Sequence, residues 1–175
     1  MPAKDDRPAL AIFVNGLADL ETLYPVALGL SKRGEVRPYL YVTRKMARLE
    51  PRLLPMLVDS GLQYAVASGI RLKVFYHDLL RRFNAALVLT DPLHDRASGS
   101  RRAKTLMRIG TPTIFIQHGV LQKNLNWGRQ ESRIEYYSKL LLLFESIGRY
   151  EAFLGDKTLA SARVVGFPKQ QYFPL

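Results

Sequence analysis

The hydrophobic positions fall into short uninterrupted runs, separated by longer stretches in which they recur every three or four residues. Ala9-Leu-Ala-Ile-Phe-Val14 contains no polar residue and is followed by Asn15-Gly16. A strand without polar alternation is one buried on both faces, as in a parallel sheet. From Leu17 to Arg33 the spacing changes. Leu20, Leu23, Tyr24, Ala27, Leu28 and Leu30 recur at three- and four-residue steps, which predicts a helix. Asp19 and Glu21 lie in its first turn, Lys32 and Arg33 in its last, and Gly34 follows. That order suits the helix dipole and the glycine preference beyond a helix end. Pro25 conflicts with the pattern and should either kink the axis or mark a later start.

The alternation continues to the end of the chain. Strands are expected at Val36–Val42, Tyr64–Ala67, Ala85–Thr90, Thr113–Gln117, Lys139–Phe144 and Ala162–Val165. Helices are expected at Arg48–Ser60 (with Pro51 an alternative start and Gly61 the stop), Leu72–Phe83, Ser98–Ile109 and Ile147–Leu154. Strands that alternate with helices build βαβ units. The expected fold is therefore a single α/β, Rossmann-like domain over residues 9–175. It would have three layers, six or seven mostly parallel strands and helices on both faces. Residues 1–8 read as a flexible polar leader.

Composition narrows the chemistry. Cysteine is absent, which excludes disulfides, thiolate zinc sites, iron–sulfur clusters and a cysteine nucleophile. A hydrophobic fraction of 47% argues against disorder. No apolar run, Leu140–Phe144 included, approaches the ~20 residues of a membrane span. The N-terminus, Met-Pro-Ala-Lys-Asp-Asp-Arg, has no apolar signal core, so a cytoplasmic location is expected. Lys and Arg number 26 against 15 Asp and Glu, a net charge of +11. Such a charge implies either solvated helix faces or a surface that meets anionic lipid or phosphate groups. The basic clusters are Arg44, Lys45, Arg48 and Arg52; Arg81 and Arg82; and Arg96, Arg101, Arg102, Lys104 and Arg108. They do not interleave with aromatic residues, and no nucleic-acid-binding motif is present, so specific nucleic-acid binding is not expected.

Ligands of open α/β sheets bind at the carboxyl ends of the strands. The residues there are Asn15-Gly16, Thr43-Arg44, Thr90-Asp91-Pro92-Leu93-His94, Gln117-His118-Gly119, Glu145-Ser146 and Gly166-Phe167-Pro168. His118 follows a buried strand and precedes Gly119, which lets a ligand or loop approach closely. An imidazole there can act as a general base, a role histidine fills more often than any other side chain; otherwise it only ties down a loop. His94 can orient a phosphate or partner His118, or be a plain turn residue, and His77 reads as structural. The loop Val120–Arg133 carries Gln122, Lys123, Asn124, Asn126, Trp127, Gly128 and Arg129. Its tryptophan either lines a ligand or plugs the loop onto the core. Gly-x-Gly-x-x-Gly, the phosphate loop and the serine elbow are all missing, and Asp19 and Glu21 would repel a pyrophosphate at the first helix. No metal-ligand spacing is present, and no cofactor is expected.

The run Gly110-Thr-Pro-Thr-Ile-Phe-Ile-Gln-His118-Gly119 resembles the strand-to-His-Gly motif in the first domain of GT-B glycosyltransferases. Within these it resembles the bacterial capsule and wall-polymer enzymes, including the CDP-glycerol glycerophosphotransferase-like group. Leu141-Leu-Leu-Phe-Glu-Ser-Ile-Gly-Arg-Tyr-Glu151 and Arg163-Val-Val-Gly-Phe-Pro-Lys169 are similar to the end of such a domain. The resemblance implies an acceptor-binding half in which His118 deprotonates the acceptor hydroxyl. Asn15, Gly16 and the loop around His94 would lie near the acceptor. It also implies a second, donor-binding domain that this chain lacks, so the chain reads as cut at a domain boundary and inactive alone. The expected partners are a nucleotide-activated donor and an anionic glycan or lipid-linked acceptor, with peripheral contact to the inner membrane face. The alternatives are a non-enzymatic module binding an anionic ligand or partner, or half of a nucleotide-sugar epimerase. The epimerase would need carboxylates from Asp91, Asp95 or Glu145.

Overall fold

The computed structural model describes residues 6–14, 16–67, 83, 87–89, 112–119, 121–122, 125–128, 133–136 and 138–166. The fold is α/β and Rossmann-like, with parallel strands that alternate with helices. It divides into two compact units, Met1–Ala86 and Leu87–Leu175.

The first unit contains β1 (Ala9–Val14), α1 (Leu17–Arg33), β2 (Arg37–Thr43), α2 (Arg44–Leu49), α3 (Leu53–Asp59) and β3 (Gln63–Ala67). Its strands lie in the order β3-β2-β1, with Val14 beside Val42 and Val42 beside Val66. All six residues of β1 are buried, as expected of a strand covered on both faces. Phe13 stacks on Tyr41, and Phe83 packs edge-on against Tyr39 and Tyr41.

α1 spans the predicted residues and buries Leu20, Leu23 and Ala27. Its ends are closed by its own sequence. The Gly16 N–H donates to the Asp19 carboxylate at 3.1 Å. At the far end Gly34 adopts a left-handed φ of 70° and donates to the carbonyls of Leu30 and Ser31. The Arg7 guanidinium donates to the Gly34 carbonyl, and the Arg37 N–H to that of Pro8, so the leader is tied to the sheet at its last residues. Pro25 does not delay the start. It lies buried inside a helix that begins at Leu17, because burial of Leu20 and Leu23 holds the first turns despite the bond Pro25 cannot make.

The helix expected at Arg48–Ser60 is two helices. α2 begins directly at the end of β2, where the Thr43 hydroxyl accepts from the Met46 N–H at 3.2 Å. Glu50 leaves the helical conformation with φ −124° and ψ 87°, because the ring of Pro51 disfavours a helical residue before it. Pro51 thus separates two helices instead of starting one.

The second unit contains β4 (Leu87–Leu89), β5 (Thr113–Ile116), β6 (Leu140–Leu143), a single 3-10 turn (Ile147–Arg149), α4 (Asp156–Ala160) and β7 (Ala162–Val164). The strands lie in sequence order. Phe115, Leu125, Ile134, Tyr136, Leu141, Leu143, Tyr150, Leu154 and Ala162 form its core. The helix expected at Ile147–Leu154 is only the 3-10 turn followed by further turns. α4 was not anticipated. Its start is held from a distant segment: the Glu135 carboxylate accepts from the Thr158 N–H at 3.0 Å and from the Thr158 hydroxyl at 2.6 Å. The expected helices at residues 72–83 and 98–109 lie outside the described residues, apart from Phe83, which is not helical.

Candidate functional site at the end of the fifth strand

Gln117 continues β5 by one residue and donates its N–H to the Leu142 carbonyl at 3.1 Å. Its side chain is fully buried. The amide oxygen accepts from the Phe144 N–H at 3.1 Å and from the Tyr150 hydroxyl at 2.7 Å. The amide nitrogen donates to the Gly119 carbonyl at 2.7 Å. One side chain therefore joins the end of β5, the end of β6 and the turn that follows β6. The Tyr150 hydroxyl also accepts from the Glu145 N–H at 3.3 Å. Burial pushes the Tyr150 phenol above its ordinary range, which keeps it protonated as the donor to Gln117.

The loop beyond Gln117 is organised by two more amides. The His118 N–H donates to the Gln122 side-chain carbonyl at 3.3 Å. The Gln122 N–H donates to the Asn126 side-chain carbonyl at 2.8 Å. The Gln122 main-chain carbonyl accepts from the N–H groups of Leu125 and Asn126 at 3.0 and 3.1 Å. Leu125 is fully buried and anchors the loop in the core. His118 is half-buried, while Leu121 and Trp127 are exposed. The tryptophan is not the plug of this loop; Leu125 is.

The predicted site residues meet different fates. Gln117, His118, Gly119 and Glu145 come together at the carboxyl ends of β5 and β6 through the bonds above. Gln117 shapes this edge from beneath, since a wholly buried amide bonded to three neighbours does not line a ligand surface. Gly119 has no left-handed φ, and a Cβ there would sit 3.4 Å from the Leu121 carbonyl. Glu145 is half-buried and pairs with Arg149 at 3.7 Å. Gly16 belongs to the first unit, where it begins α1 and binds Asp19. That carboxylate occupies the helix N-terminus, consistent with the absence of a dinucleotide loop. Asn15, Asp91, His94 and Arg129 lie outside the described residues. Tyr150 was not anticipated: its partner lies 33 residues earlier, and no local pattern marks it.

Among the described residues no group of three or more His, Asp or Glu side chains forms a metal site. No helix among them is long and apolar enough to cross a membrane. No family model matches the chain, and no curated protein matches it in sequence.

Proposed function

We propose that the chain is the acceptor-binding half of a nucleotide-sugar or nucleotide-polyol dependent transferase of bacterial surface polysaccharide synthesis, working at the cytoplasmic side of the membrane. One observation carries the reading. His118 is half-exposed at the carboxyl end of a parallel strand, in a turn held by the amides of Gln117, Gln122 and Asn126. Its imidazole takes the proton of the acceptor hydroxyl as that oxygen attacks the activated carbon or phosphorus, and the nucleotide leaves with the electron pair of the broken bond. The exposed Trp127 and Leu121 suit the apolar face of a sugar ring. The donor nucleotide is held by a second domain. For the epimerase alternative, the one candidate carboxylate described is Glu145, whose pairing with Arg149 leaves it poorly suited as a base.

The test measures transfer from nucleotide-sugar and nucleotide-polyol donors by the full-length protein. His118→Ala lowers kcat by roughly 100- to 10,000-fold if the imidazole is the base. Full activity in that variant removes the assignment. Absence of transfer with every donor favours the binding-module alternative.

A further inference from the structure

The register of the first unit's sheet places Val14, Val42 and Val66 side by side. Leu17 opens α1 three residues beyond Val14, and α2 begins two residues beyond Val42. The elements that start or end at the carboxyl edge of this sheet carry three exposed aliphatic side chains: Leu17 at 52% exposure, Leu49 at 68% and Val66 at 38%. The same edge carries three exposed cations, Arg44, Lys45 and Arg48. At 100° per residue these cations and Leu49 share one continuous face of α2, while Met46 points to the core. No ion pair to a described residue neutralises the three cations, whereas the nearby Glu50 is taken by Arg52 at 2.8 Å. The first turn of α2 is closed by Thr43, so the charge belongs to the side chains and not to the helix end.

We propose that this edge docks on an anionic lipid bilayer. Arg44, Lys45 and Arg48 meet the headgroups, and Leu17, Leu49 and Val66 enter the interfacial layer. Charge complementarity selects an anionic surface. The aliphatic residues select lipid over nucleic acid, whose phosphate backbone rewards the cations but offers no apolar layer for aliphatic side chains to enter. Solvated cations alone would not explain three large aliphatic side chains left in water on the same edge.

The experiment is co-sedimentation of the 175-residue chain with phosphatidylcholine vesicles, with and without phosphatidylglycerol. No nucleotide donor is present, so the outcome is independent of the transfer reading. The chain binds the phosphatidylglycerol vesicles, less so as salt is raised. Arg44→Gln/Lys45→Gln/Arg48→Gln weakens binding by about 100-fold, at about fivefold per charge. Leu49→Ser weakens it by about tenfold. Lys32→Gln/Arg33→Gln, at the opposite end of α1, retains most of it. All these positions are exposed, and circular dichroism confirms that each variant is folded. Equal binding to neutral vesicles, an undiminished triple variant or an unaffected Leu49→Ser overturns the proposal. So does tighter binding of a nucleic-acid duplex through the same three cations.

Discussion

Replacing Gln117 with leucine keeps the volume of the buried side chain and removes its hydrogen bonds. Two buried donors, the Phe144 N–H and the Tyr150 hydroxyl, lose this acceptor, and the Gly119 carbonyl loses a donor. A buried donor without its acceptor costs about 1–3 kcal/mol, so the first two together cost roughly 2–6 kcal/mol. The Gly119 carbonyl lies in a half-buried residue, where water replaces the lost donor at little cost. With a urea slope of roughly 2 kcal/mol/M, the unfolding midpoint of Gln117→Leu falls by roughly 1–3 M. Tyr150→Phe removes that donor and takes a long 3.3 Å acceptor from the Glu145 N–H, which lies in a half-buried residue where water can replace it, and costs about 1–2 kcal/mol. The double variant no longer buries the orphaned hydroxyl, so it is more stable than the sum of the singles predicts. Urea unfolding followed by circular dichroism and by fluorescence of Trp127, the single tryptophan, reads all three. An unchanged midpoint in Gln117→Leu, or strict additivity, would refute the description of Gln117 as the joint of this edge.

Three further outcomes are expected. In Gly155→Ala the new methyl overlaps the Glu135 carboxylate, which Thr158 holds in place; thermal melting should show a loss of about 1–3 kcal/mol, and less than additive behaviour with Glu135→Ala. Leu125→Ala opens a cavity beneath the His118 loop at a cost of about 2–5 kcal/mol, seen as a Tm lowered by roughly 4–20 °C. Burial raises the phenol of Tyr136. The folded chain therefore keeps a proton that the unfolded chain, titrating near 10, gives up. Tyr136 contributes its full stability below about pH 10 and loses it as pH rises towards the raised folded value. Urea midpoints measured across this range should fall less steeply in Tyr136→Phe than in the unaltered chain.

What could be read from the sequence was what neighbouring residues decide. β1 is a six-residue apolar run, and α1 carries its acidic start, basic end and closing glycine within its own span. α2 was missed because Thr43 ends a strand and caps a helix at once, leaving no loop between them. Pro51 has two readings, helix start or helix stop, and only the dihedral angles of Glu50 separate them. α4 is held by Glu135, more than twenty residues earlier, so its five residues show no pattern of their own. At the candidate site the strand-end rule found His118 and its neighbours. It read Gln117 as ligand-lining because polarity at a strand end is the same signal whether the group faces a crevice or is enclosed. Its enclosure comes from Phe144 and Tyr150, 27 and 33 residues on.

Strands covered on both faces have a consequence before they are covered. Ala9–Val14 and Leu140–Leu143 carry no charge and no proline. In a chain still folding, such segments pair readily with copies of themselves, and parallel sheets close late because their partners are distant in sequence. Each segment is bracketed by residues that resist such pairing. Arg7-Pro8 precedes the first and Asn15-Gly16 follows it; Lys139 precedes the second and Glu145 follows closely. These flanking residues contribute little to the finished core. They act as gatekeepers during synthesis, so Lys139→Leu or Pro8→Val would lower the yield of soluble protein well before it lowered the stability of the folded chain.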